Sequence, residues 1–332
     1  MIQLFFAFIN AQNLPERTDF RMKASLRKPF SKEESDLKHT VDILIICLSL
    51  CVPSVYYGGL SAFLQIAVCL LSVTVSELIF MKLILKKNLF SDFSFISSAL
   101  IIALLLPDDA PLSVSAIASV FSVAVCVFPF GSRLNTPFVP SAAAIAFALS
   151  AFKNDLSYGK ELSFLIGEGE VMSLDFFSIT DILSGALPGA TGCSCILALI
   201  AAGIYLFIRK KESLIPSLGF IIVVAAFALL FPRVNSGRLS SVFLELSAGS
   251  LLFTALLLIN DPVTSPSKKL SRFIYGAFGG LITMLMRHFS PTLMPEVFSV
   301  LLMNAVLPAV TGETVNRKKA LSKEKEKSSY EK

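Results

Sequence analysis

The chain has 332 residues, 54% of them hydrophobic, and a mean hydropathy of +0.73. That excludes an ordinary soluble domain, in which apolar residues make up ~45–50%. The net charge of +5 sits mostly at the two ends, where it signals orientation and contact with anionic lipid rather than with nucleic acid.

Residues 1–39 form a basic segment with Arg17, Arg21, Lys23, Arg27, Lys28, Lys32 and Lys38. Residues 1–13 are apolar but have no basic region ahead of them, so a cleaved signal peptide is not expected. Apolar stretches follow at 41–57, 59–83, 93–106, 112–130 and 137–152, which make a first half over 40–152. A long segment, 153–191, carries Asp155, Glu161, Glu168, Glu170, Asp175 and Asp181. Five more stretches, at 192–208, 214–231, 242–259, 273–286 and 294–310, make a second half over 192–312, followed by a charged tail, 313–332. Several are shorter than the ~20 residues of a straight spanning helix. Short or Pro-interrupted segments are tolerated where protein rather than lipid surrounds the backbone.

The basic residues mark alternate connections. Of the 29 Lys and Arg, 24 lie at the two ends and near Lys82, Arg133, Arg209 and Lys268; the intervening connections hold Lys153, Lys160, Arg233, Arg238 and Arg287. Positive charge is retained on the cytoplasmic side during insertion. The expected fold is therefore an all-α, multi-pass integral membrane protein of about ten transmembrane helices, with both termini cytoplasmic and 153–191 external. The halves also echo each other: Ala103-Leu104-Leu105-Leu106-Pro107-Asp108-Asp109 against Ala255-Leu256-Leu257-Leu258-Ile259-Asn260-Asp261. By the charge pattern these run in opposite directions, which predicts two inverted five-helix repeats.

Few residues suit chemistry. Only His39 and His288 are histidines, and Cys193 and Cys195 lack further ligands nearby, so no metal site is expected; no catalytic set is visible either. Asn260-Asp261-Pro262-Val263-Thr264-Ser265-Pro266 places a carboxylate at a membrane boundary, with two prolines that free backbone carbonyls. It reads either as an interfacial Asx-type turn or as a site built on Asp261, Thr264 and Ser265. Leu187-Pro188-Gly189-Ala190-Thr191-Gly192 reads either as a loop-to-helix junction capped by Thr191 or as a cradle for a flat, phosphate-bearing ligand at Gly189, Thr191 and Gly192. Asn304, inside the last stretch, suits an interhelical hydrogen bond or a ligand contact.

Together these segments resemble one family of membrane proteins, which comprises the D subunit of the Rnf ferredoxin:NAD oxidoreductase and the B subunit of the sodium-translocating NADH:quinone oxidoreductase. Residues 261–266 resemble its DPVTSP signature, residues 300–308 its AVLLMNALVP, residues 134–142 its GQNPFNPA, and residues 187–195 its PGSIGETS. The resemblance implies one component of an ion-translocating oxidoreductase in the bacterial inner membrane, inactive alone and partnered by the other subunits of an Rnf- or Nqr-type complex. It also implies electron transport coupled to sodium or proton export, FMN esterified to an outer-face threonine within D-x-x-S-G-A-T, and riboflavin in some members. Here Asp181-Ile182-Leu183-Ser184-Gly185-Ala186 is followed by Leu187, which has no hydroxyl. Thr191 is then the candidate for covalent FMN. The rival reading is a transporter, a channel-like protein or a non-redox scaffold that has lost the flavin.

Overall fold

The computed structural model describes residues 30–80, 82, 94–130, 136–156, 190–209, 214–232, 238–247, 249–261, 263–266, 268–290 and 293–311. The chain divides into two compact units, Met1–Val41 and Asp42–Lys332. The first is described over residues 30–41, which are helical. The second is all-helical and has no β-strand among the described residues; an isolated bridge pairs Pro107 with Ala190.

Helix α1 (Phe30–Phe80) is broken at Gly59, where φ is 60° and ψ is −142°. Nothing lies within 4 Å of an added Cβ there, so it is the backbone conformation that calls for glycine. Helix α2 (Ser94–Leu105) is short, and all of Ser97–Leu105 is buried. Helix α3 (Leu112–Phe121) continues through a π-helical stretch, Ser122–Val127, into a 3-10 turn, Phe128–Phe130. Helix α4 (Pro140–Ala151) opens on a proline, whose missing N–H costs nothing in a first turn. Leu104, Leu105, Ile145 and Phe253 are fully buried together in one continuous apolar core.

The second half contains α5 (Ile196–Arg209), α6 (Ile215–Leu230), α7 (Arg238–Ser247), α8 (Leu251–Phe253, continued by a π-helical stretch Thr254–Leu258), α9 (Lys269–Phe289) and α10 (Pro295–Thr311). Glycines let α6 and α9 touch backbone to backbone. A Cβ on Gly276 would lie 1.9 Å from the Pro216 carbonyl oxygen, and one on Gly280 would lie 2.6 Å from that of Phe220. This is the small-residue contact that joins helices where the hydrophobic effect does not drive them together.

Among the described residues, two helical runs are long and apolar enough to cross a membrane, Thr40–Phe80 (41 residues) and Leu112–Phe130 (19 residues), and a third crosses if the bent pair α7–α8 is one span. At ~1.5 Å per residue the 41-residue run is about twice a bilayer core in length. Its break at Gly59 falls between the two stretches expected from sequence, 41–57 and 59–83. Five further apolar helices are shorter: Ser94–Leu105, Pro140–Ala151, Ile196–Arg209, Ile215–Leu230 and Pro295–Leu307. Large apolar side chains point outward, with Val52, Leu60, Ile208 and Leu230 each more than 70% exposed. Such a surface is consistent with a membrane protein, in which lipid and not water meets these faces.

Two boundaries depart from the sequence reading. The stretch at 242–259 is not one helix: α7 and α8 meet at a bend of 66° beside Gly249, whose φ is +71°. The stretch expected to start at Gly192 instead opens with a 3-10 turn, Thr191–Cys193, and its helix begins at Ile196. The acidic loop 157–189, the amino-terminal residues 1–29 and the tail 312–332 lie outside the described residues.

Candidate functional site at the capped ends of α2 and α8

The echoed Leu-rich segments end in two polar clusters. A helix leaves its last carbonyls without intrahelical partners, and a buried end must find donors elsewhere. At the end of α2 the donor is Thr191. Its hydroxyl proton is shared between the carbonyls of Ala103 (3.0 Å) and Leu106 (2.9 Å), and its backbone N–H donates to Leu106 (3.1 Å). Gln65 Nε2 adds a long bond, 3.4 Å, to Ala103. The Thr191 carbonyl in turn accepts from the Ser54 and Ser194 hydroxyls at 3.0 and 2.8 Å.

Thr191 therefore caps α2, 85 residues back in sequence, and not the helix that follows it. This corrects the expected loop-to-helix cap: the residue preceding the 3-10 turn is Ala190, which has no capping side chain. Gly192 has a packing reason for being glycine. A Cβ there would lie 2.5 Å from the Leu104 Cβ and 3.0 Å from its carbonyl oxygen. Gly189 lies outside the described residues.

The arrangement does not fit an FMN ester on Thr191. The side chain is buried, its hydroxyl is committed to two carbonyls, and the adjoining Gly192 has no room for a methyl group. An isoalloxazine ring attached here would require the 190–193 turn to leave α2.

At the end of α8 the donors are Asn260 and Ser217. Asn260 Nδ2 lies 2.6 Å from Ser217 Oγ, 2.8 Å from the Leu256 carbonyl and 3.2 Å from that of Ala255; Ser217 Oγ donates to Ala255 at 2.5 Å. The next residue, Asp261, closes the following turn. Its Oδ2 accepts from the Thr264 N–H and hydroxyl, both at 3.3 Å, and its carbonyl accepts from the Ser265 N–H at 3.0 Å. Asp261 and Thr264 are buried and Ser265 is half-buried. The segment is thus an Asx-type turn in geometry. It is also a carboxylate held out of water, which is costly in a membrane and by default marks function.

Asn304 joins this second cluster. Its Oδ1 accepts from the Tyr275 hydroxyl at 2.6 Å, and Tyr275 lies within electrostatic reach of Asp261. Both Tyr275 and Asn304 are 2% exposed, and Asn304 Nδ2 has no hydrogen-bond partner among the described residues. Of the residues singled out from sequence, Asp261, Thr264, Ser265 and Asn304 come together around α8, α9 and α10, whereas Thr191 and Gly192 pack on α2. The second cluster offers a fixed negative charge and an open amide donor. Among the described residues no group of three His, Cys, Asp or Glu side chains could hold a metal ion.

Sequence reading missed two charged groups. Asp42, 3% exposed, accepts from Tyr205 (3.1 Å) and from Arg209 Nε and Nη2 (3.2 and 3.1 Å). Glu245, Arg287 and Glu296 form a buried ionic cluster beside the α7–α8 bend. The signal in the sequence is a charge inside or next to an apolar stretch; Arg209 and Arg287 enter the sequence reading only as markers of topology.

Comparison with known proteins settles the lineage. The model of the NQR2, RnfD, RnfE family matches residues 25–319. The chain belongs to this family. A relative from Acetobacterium woodii, the D subunit of the Na(+)-translocating ferredoxin:NAD(+) oxidoreductase complex, is 27% identical over 291 residues, covering 83% of this chain and 88% of that protein. The D subunit of the ion-translocating oxidoreductase complex of Methanosarcina acetivorans is 26% identical, covering 86% and 93%. That of Escherichia coli K12 is 23% identical, covering 82% and 92%. Both polar clusters of this family member fall inside the matched region.

Proposed function

We propose that this chain is a membrane subunit of an Rnf-type complex that couples electron transfer to sodium or proton export across the bacterial inner membrane. The observation that carries the reading is the family match over residues 25–319, together with Rnf-complex relatives that align over most of their own length. The chain would work with the other subunits of that complex and not as an enzyme by itself.

The proposed architecture is ten spans in two inverted five-helix halves, with both ends cytoplasmic. The support is in the clusters themselves. In each half a serine near the start of the second helix bonds the position after the Leu-rich run: Ser61 donates to the Asp108 carbonyl, and Ser217 accepts from the Asn260 side chain. In each half the equivalent carbonyl, that of Ala103 or Ala255, takes two polar side chains. Asp108 and Asn260 are also equivalent positions in the echoed sequence.

Flavin, as FMN or riboflavin, is proposed from the family resemblance alone, and no step is assigned to it here. The misfit at Thr191 and the leucine at position 187 favour the second reading, a protein that conducts or scaffolds without a covalent carrier. Intact-mass measurement of the membrane-extracted chain separates the two: an added FMN supports the carrier, and an unmodified mass from flavin-replete cells supports the scaffold. The complex reading has its own test. Affinity purification of the tagged full-length chain in mild detergent should bring down further membrane subunits and a redox-active peripheral one; a chain that purifies alone from cells expressing all of them would refute it.

A further inference from the structure

Along α1, Ser61, Gln65 and Cys69 succeed one another at steps of one helical turn and so share one face. The mouth of this face is polar and open: Ser61 and Asp108 are exposed, and the Ser61 hydroxyl donates to the Asp108 carbonyl. Deeper in, Gln65 is 1% exposed and Cys69, Ser115 and Ser119 are 0% exposed. The Cys69 thiol donates to the Ser115 carbonyl at 3.8 Å, and the Ser119 hydroxyl faces the same thiol. Ser115 and Ser119, one turn apart on α3, therefore look onto the Cys69 face of α1 across a polar seam. Below the seam Val73, Ala99 and Val123 form a small apolar cluster of their own, and the buried Glu77 follows on the same face of α1.

Gln65 and Ser115 carry more hydrogen-bonding capacity than their neighbours use. Gln65 Nε2 makes its long bond to Ala103, while among the described residues Gln65 Oε1 and the Ser115 hydroxyl have no hydrogen-bond partner. Turning the Gln65 amide over leaves its nitrogen open in place of its oxygen. Buried polar atoms of this kind are where structural water binds, at about three hydrogen bonds per molecule. The helices of the same order in the second half are built differently: α6 and α9 touch backbone to backbone at Gly276 and Gly280, where not even a methyl group fits.

We infer that the seam between α1 and α3 is a hydrated inlet: ordered water bound by Gln65 and Ser115 enters from the Ser61–Asp108 mouth and stops at the collar of Val73, Ala99 and Val123. The ligand is water, and with it the proton that water carries. Glu77 lies about two helical turns beyond Cys69. The collar is thus the barrier between this water and a buried carboxylate. The inference uses only the packing of the first half and needs no flavin or partner subunit, so its failure leaves the complex reading untouched.

The test uses the full-length chain in phosphatidylcholine nanodiscs. In one version every cysteine but Cys69 is replaced by alanine; in the other every cysteine but Cys47, which is equally buried but packed in the apolar core. On transfer to D2O the infrared S–H stretching band of each thiol is followed. A thiol beside bound water exchanges without local unfolding, whereas one in a dry core waits for it, so the Cys69 band should vanish at least ~10-fold faster than the Cys47 band. Thermal unfolding is the second readout. S115A removes a hydroxyl that water satisfies and should lower Tm; removing a dry, unpaired hydroxyl would instead raise it. Exchanging NaCl for choline chloride should leave Tm where it is, because no cation is bound. Equal exchange at the two thiols, a Tm that holds or rises in S115A, or a sodium-dependent Tm that S115A abolishes overturns the inference. Should the variants of one readout fail to accumulate, the other readout decides.

Discussion

Replacing Thr191 by valine tests whether its hydroxyl is a structural cap. Valine keeps the shape and removes only the donor. Two carbonyls then lose it, but neither is left bare: Leu106 keeps the Thr191 N–H at 3.1 Å and Ala103 keeps Gln65 at 3.4 Å. A buried hydrogen bond is worth about 1 kcal/mol net, and a fully orphaned acceptor costs up to ~3 kcal/mol. With partial compensation at both oxygens, T191V should destabilise the chain by about 1–2 kcal/mol, while T191S should retain most of the stability. Thermal unfolding of the detergent-solubilised chain, with in-gel flavin fluorescence on the same samples, separates the alternatives. Unchanged stability in T191V combined with loss of fluorescent flavin would refute the capping argument and restore Thr191 as an attachment site.

Other outcomes follow from the packing and the charges. G276A should fail to accumulate in the membrane or unfold at a much lower temperature, because its methyl group would sit 1.9 Å from the Pro216 carbonyl oxygen and the helices must part to admit it; wild-type accumulation and Tm would contradict this contact. Y275F should cost about 1–2 kcal/mol by leaving the buried Asn304 carbonyl without its donor, measured by the same unfolding assay. D261N keeps an oxygen for Thr264, so the complex should assemble normally while electron transfer or ion export falls; unchanged activity would reduce residues 260–266 to a turn. Single cysteines at Ser163 and Asn235 should react with an impermeant thiol reagent from outside the inner membrane, and ones at Ser25 and Ser267 should not, in a background free of native cysteines. Labelling at Ser267 would reverse α8 and end the inverted-repeat proposal.

Much of the helical plan was legible because its causes are local. Leu-rich runs bounded by Pro, Gly and Asp mark α2 and the end of α8, and Gly58-Gly59 marks the break in α1. What stayed hidden depends on distant partners. Nothing near Thr191 says that its hydroxyl serves α2. The flavin-cradle reading takes Gly189 and Gly192 as room for a ligand, and at Gly192 the room is filled by Leu104. The α7–α8 bend escapes the sequence because Ala248-Gly249-Ser250 continues an apolar stretch; it takes the positive φ of Gly249, and a glutamate from α10 at Ser250, to turn the chain there. The polar residues of 260–266 and Asn304 were visible one by one, but only the fold brings Tyr275 between them.

The most direct test of the central claim is redox-driven ion uptake into inverted membrane vesicles from matched cells with and without this chain. Its role within an ion-translocating oxidoreductase predicts uptake of sodium or protons in the first, lost in the second and restored by the full-length chain. Equal uptake in both preparations would contradict it.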